Sequence, residues 1–319
     1  MIHTIKLYTN LSFEEKNNIE SRFNKSINEV MKDINNKKQG VKLSGVNTAR
    51  HYKVNVFVDV TKLLNRGNVY EEDYYEVKER IDEAIESLVG YSLEMTLTRI
   101  DYRIDRYINS KANRLILIHL YKKMVNKYGF KVKKDKQKYK TSVRYDSKSM
   151  QIIIYDKEQE RKDKNKHCEN YEKNILRFEV KLLNKHVNYN KRKYNIEQDL
   201  KYYFSEELQM KYMLSNIQKI VYRGDYYNIR EASKIINQSD IKEKDKEFVR
   251  GFLIDVSENG ISGAKEIMDE GNKIKYTKYK FKKAIDILEE LNINPILTPK
   301  SREYLYGERT FYIKNPFNI

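Results

Sequence analysis

The chain is poor in cysteine. Its single residue, Cys168, excludes an internal disulfide and any cysteine-based zinc cluster. The opening stretch MIHTIKLYTN holds no apolar h-region, so no secretory signal is expected. Apolar runs such as Leu115–Leu120 are far too short to span a bilayer. No GxxxxGK[ST] loop is present, and the nearest piece, Gly260-Ile-Ser-Gly263-Ala-Lys265, has the wrong spacing. ATP-driven unwinding by this chain is therefore not expected. HExxH and His-x-His are also missing, and His3, His51, His119, His167 and His186 are scattered. The three prolines, Pro295, Pro299 and Pro316, all lie near the C-terminus. These absences leave the expectation of a soluble, cytoplasmic protein with no membrane partner.

What is abundant is positive charge. Lysine and arginine total 63 against 46 acidic residues, a net of +17 over 319 residues. Such an excess suits a polyanion, and nucleic acid is the default candidate. The length suggests about two domains. The 27 tyrosines and 11 phenylalanines supply bulky core area despite the polar average. The charge is uneven. From Lys122 to Lys148 there are 11 Lys/Arg, Lys133 and Lys134 among them, against Asp135 and Asp146, a local net of +9. A charge run is commonly a solvated face, but this one directly precedes a set of polar strands.

Periodicity predicts strands over 2–8, 41–46, 52–60, 93–108, 141–146, 151–157 and 175–183. It predicts helices over 13–36, 74–89 and 112–128, the last ending at Gly129, and a loop or short helix over 158–172. That order reads as an α+β domain over 1–190, with a mainly antiparallel sheet and helices on one face. From 191 to 319 the pattern is helical (196–220, 228–236, 242–257, 260–269 and 277–291), with a final strand at 310–314. This reads as an accessory, DNA-binding domain.

In Leu97-Thr-Arg99-Ile-Asp101-Tyr-Arg103-Ile-Asp105, a period of two puts Ile100, Tyr102 and Ile104 on one face. Arg99, Asp101, Arg103 and Asp105 line the other. The same arrangement recurs in Arg177-Phe-Glu179-Val-Lys181. Acids set among basic residues suit either cross-strand ion pairs or a hard divalent cation with neighbouring phosphates. The strand at 151–157 carries Tyr155 and Lys157 on one face. A tyrosine in an aliphatic strand is usually core, and spacing alone does not single this one out.

The blocks TLTRIDYRID (96–105), IIIYDKEQE (152–160) and ILRFEVKLLN (175–184) resemble those of rolling-circle replication initiators of the filamentous-phage gene II type. Plasmid initiators of the Rep_trans group have similar blocks. The shared pattern is Arg99-Ile-Asp101, then Tyr155-x-Lys157-x-x-Glu160, then Arg177-Phe-Glu179. The start Met-Ile-x-Thr is similar too, with His3 where the family usually has an acid. Thr61-Lys62-Leu-Leu64 followed by Asn68-Val69 also resembles a family block, but Asn55 stands just before it where the family often has an acid.

The resemblance implies a divergent HUH-like nicking fold followed by a helical, winged-helix-like unit. It also implies a tyrosine nickase that leaves a 5′-phosphotyrosyl enzyme and a 3′-OH primer. Tyr155 would be the nucleophile, assisted by Lys157. Mg²⁺ or Mn²⁺ would sit on Asp101 and Glu179, with Asp105 as a further ligand. Arg99, Arg103, Arg177, Lys181, Lys133, Lys134 and Lys280 would hold DNA. The partners would be single-stranded or cruciform origin DNA and a host helicase and polymerase. A conjugative relaxase or single-strand transposase would share this chemistry, and a non-enzymatic DNA-binding initiator or repressor would share the charge.

Overall fold

The alternating N-terminal residues form strand β1 (Ile2–Leu11), as a period of two predicts. The structure is a computed structural model and describes residues 1–123, 131–132, 141–299 and 312–318. Two helices follow, α1 (Phe13–Phe23) and α2 (Ile27–Lys37), where the spacing predicted one. The break has a local cause. Asn24 takes φ 51° and closes α1, and Ser26 opens α2 with a capping box shared with Glu29.

Next come β2 (Val41–Asn47), β3 (Tyr52–Asp59), the short α3 (Val60–Leu63), α4 (Tyr74–Val89) and β4 (Thr96–Tyr107). They are followed by α5 (Lys111–Lys122), β5 (Lys131–Val132), β6 (Ser142–Asp146), β7 (Met150–Asp156), α6 (Lys157–Asp163) and β8 (Ile175–Leu182). The expected end of the fifth helix at Gly129 lies outside the described residues, as do Lys133 and Lys134. Eight strands join in the order β2-β3-β1-β4-β8-β7-β6-β5. β1 runs antiparallel to β3 and β4, β2 to β3, and β5 to β6.

The remaining elements are α7 (Asn184–Tyr194), α8 (Leu200–Phe204), α9 (Glu206–Ile220), β9 (Tyr226–Tyr227), α10 (Ile229–Gln238), α11 (Glu243–Ala264), α12 (Lys278–Glu290) and β10 (Tyr312–Ile313). Three expectations change here. The segment 196–220 holds two helices, because the chain turns extended at Ser205. The two helices expected over 242–257 and 260–269 are separated, as expected, by a break at Gly260 (φ 70°, ψ 172°) within α11, but the second ends at Ala264 and not at 269. Helix α7 was not foreseen, since Val187 is almost its only apolar residue. No described helix is long and apolar enough to cross a membrane.

The chain divides into two units. Unit 1 comprises Met1–Ile104, Lys148–Gln151 and Glu179–Met213, and unit 2 comprises Asp105–Ser147, Ile152–Phe178 and Leu214–Ile319. The two units interleave in sequence, because β4, β7 and β8 each contribute residues to both.

In unit 1 the inward residues of β1 and β3, among them Ile5, Val54, Val56 and Val58, are buried along with Val77, Ile81 and Leu88 of α4. Asn35 of α2 fastens that helix to β2, accepting from Leu43 N at 2.6 Å and donating to Leu43 O at 2.9 Å. In unit 2, Ile116, Leu117, Val143, Ile154, Leu176 and Phe178 are buried. Its helical part is closed by Asn294, whose amide donates to Val221 O at 2.8 Å and Arg223 O at 3.2 Å. Gly224 beside it has φ +84°, and a Cβ there would stand 2.4 Å from the Ile293 backbone. Only glycine permits that approach.

Candidate functional site

β4 is buried on both faces: Ile100, Tyr102 and Ile104 lie inside, and so do Asp101 and Arg103. Its polar face is therefore not a solvated one, and its charges need partners to offset their desolvation. Within unit 1 they have them. Arg99 grips Asp101 through Nε at 2.7 Å and Nη2 at 2.6 Å. Lys181 Nζ stands 3.3 Å from Asp101 Oδ2 and 3.1 Å from Glu179 Oε2. His3 Nδ1, carried in by β1, is 3.1 Å from Glu179 Oε1. The position where the family usually has an acid thus places an imidazole against the acid of the third block. Arg103 is buried and donates from Nη2 to the Gly67 carbonyl.

The Mg²⁺ or Mn²⁺ centre implied by the resemblance would need open carboxylate oxygens on Asp101, Glu179 and Asp105. Both Asp101 oxygens are engaged by Arg99, and both Asp105 oxygens by Arg177 at 2.7 and 2.8 Å. Among the described residues no three His, Cys, Asp or Glu side chains gather closely enough to hold a metal ion. The side chains as arranged do not fit such a centre. Arg177 is wholly buried on its side-chain surface. It serves as the counter-ion of Asp105.

Within unit 2 the Tyr155 block takes a different shape from the one expected. The strand ends at Asp156, which caps α6 by accepting from Gln159 N at 3.0 Å. Lys157 is thus the first residue of a helix and does not share a strand face with Tyr155. It still reaches the ring, with Nζ 5.8 Å from the Tyr155 centroid. Lys157 is only 3 % exposed and pairs with Glu160 at 2.9 Å and Glu172 at 3.6 Å. The Tyr-x-Lys-x-x-Glu spacing is therefore an i, i+3 ion pair on the first turn of α6. Burial, reinforced by the Arg177 charge, pushes the Lys157 ammonium below the ordinary lysine value. Tyr155 itself is 8 % exposed.

Glu160 shows how strongly this cluster is coupled. Burial would raise its carboxyl, but Lys164 and Lys157 outweigh that and hold it at about 2. A depressed acid contributes stability above its ordinary value and loses it as pH falls through the depressed one. Wild type is expected to be more stable than Glu160→Gln near neutral pH. The two curves should close on one another between pH 4.5 and about 2, as urea unfolding over a pH series would show. A gap that stays constant across that range would remove the ion pair from the account.

Three contributors were not foreseen. Arg114 of α5 donates to Asp156 Oδ2 at 2.7 Å, Ile108 O at 2.6 Å and Asn174 Oδ1 at 2.9 Å. Asp156 is the residue next to Tyr155. Glu172, buried, accepts from Arg161 Nε at 2.7 Å and pairs with Lys157. The available signal was an arginine amid Ala112, Ile116 and Leu117 on a helix that is otherwise apolar inside.

The first and third blocks thus meet through ion pairs, Asp105 with Arg177 in unit 2 and Asp101 with Lys181 in unit 1, and the Arg177 charge acts on Lys157 of the second block. Lys280 is exposed on the first turn of α12. No protein-family model matches the chain, and no curated protein matches it.

Proposed function

We propose that this protein initiates rolling-circle replication by cutting single-stranded DNA with Tyr155. The observation that carries the reading is the lysine beside that tyrosine, buried, depressed in basicity and held by two acids. A free phenol ionises near pH 10, so a tyrosine nucleophile needs a neighbour that takes its proton or steadies the phenolate. In the step proposed, Lys157 accepts the phenolic proton and Tyr155 Oη bonds to a backbone phosphorus. The P–O3′ bond breaks and the leaving 3′-oxygen takes a proton from solvent. The ester bond retains the phosphodiester energy, so religation needs no nucleotide. Lys278, Lys280 and Lys282, all exposed on α12, would give a winged-helix-like unit its duplex contacts.

One observation favours a second reading, DNA binding without cleavage: an exposure of 8 % is that of a core tyrosine. A single assay separates the two. The protein is incubated with Mg²⁺ or Mn²⁺ and a single-stranded pool whose core is randomised, labelled at its 3′ end. Label that stays with the protein through denaturation is the expected covalent product. Binding with no such product would overturn the nickase reading and leave the second.

A further inference from the structure

We propose that α7 is a stacking platform for single-stranded polynucleotide, in unit 1 and independent of whether Tyr155 cuts. The helix reads NKHVNYNKRKY, with four basic residues and no acid. Its inner side is fixed by polar bonds. Asn190 is buried and donates to Tyr203 Oη at 3.0 Å and Tyr212 Oη at 2.9 Å. His186 Nε2 lies 2.8 Å from the same Tyr212 hydroxyl.

On its outer side Tyr189 is 47 % and Tyr194 56 % exposed. Their ring centroids lie 6.0 Å apart at an interplanar angle of 86°. Lys193 Nζ stands 5.3 Å over one ring and 5.2 Å over the other.

A basic last turn complements the helix C-terminus electrostatically, and that accounts for the lysines. It does not account for two aromatic rings left half in water on a helix with little apolar surface of its own to protect. Exposed rings beside cations on a rigid support are what base stacking with phosphate pairing uses. A polyanion matches the charge, and bases match the rings. A duplex keeps its base faces stacked inside, so a single strand is the occupant.

The chain has no tryptophan, so Tyr194→Trp in the full-length protein gives a single reporter. Titration with a 20-residue oligo(dT) is expected to quench its emission saturably, with rU of the same length as the arm that tells DNA from RNA. Heparin, which has charge and no bases, is expected to bind without quenching. In parallel, Tyr189→Leu/Tyr194→Leu is expected to weaken oligo(dT) binding about 10- to 100-fold at an unchanged salt slope. Lys193→Gln is expected to lower that slope by about 0.7. Equal quenching by heparin, or oligo(dT) affinity unchanged in the double variant, overturns the platform. Neither outcome bears on the covalent product, which is read separately.

Discussion

Tyr155→Phe is expected to abolish the covalent protein–DNA product, lowering its rate by more than about a thousandfold, while DNA affinity stays within a factor of two or so of wild type. The substitution suits the question because phenylalanine keeps the ring. Tyr155 lies between Ile154, wholly buried, and the cap residue Asp156, so a ring of unchanged size leaves β7 and α6 in place. Only the attacking oxygen is removed, and a P–O bond cannot form without it. A residual adduct in Tyr155→Phe would show that another tyrosine attacks.

The proposed proton acceptor has its own signature. An amine accepts a proton only when neutral, so cleavage should rise with pH towards the depressed value of Lys157 and level off above it. Lys157→Met should lower the rate and flatten that dependence. A merely structural lysine would lower the rate and leave the pH profile unaltered.

The elements with a strong period were legible in the sequence. β1, β3, α4 and β8 lie where alternation or helical spacing put them, and the first and third blocks share ion pairs. What the pattern could not give was which groups saturate one another. Period two separates Asp101 and Asp105 from Ile100 and Tyr102, yet it says nothing of the arginines that close on each carboxylate. That choice depends on neighbouring strands and on burial of both faces of β4. The metal expectation was vulnerable for this reason, since carboxylates held in an arginine fork and carboxylates held by a cation read alike in one dimension. Lys157 was placed on the strand because Asp156 also fits a strand. Asp156 in fact caps α6 through Oδ1 while its Oδ2 accepts from Arg114, 42 residues away. α7 was missed because burial of one amide, Asn190, does there what an apolar stripe does elsewhere.

Arg114→Met should be the most destabilising single change in this cluster, costing about 3–5 kcal/mol. Arg114 and Asp156 are both buried. Methionine fills much of the volume, so the loss is electrostatic. An uncompensated carboxylate would remain inside unit 2 beside the Ile108 and Asn174 oxygens, which would lose their donor. Against a typical total of about 5–15 kcal/mol, that is enough to shift the urea midpoint far or to leave the unit partly open. Lysine would rescue little, because one ammonium cannot serve acceptors spread around a planar fork.

The cycle with Asp156→Asn identifies the cause. Asparagine still caps α6 but carries no charge to strand, so the double variant should cost less than the two single changes summed, by about 1–3 kcal/mol. Strict additivity would mean that Arg114 acts through packing alone. With coupling present, the arginine fixes the position of the residue between Tyr155 and Lys157. Arg114→Met protein that still folds should then lose the Lys157-dependent pH profile along with its stability.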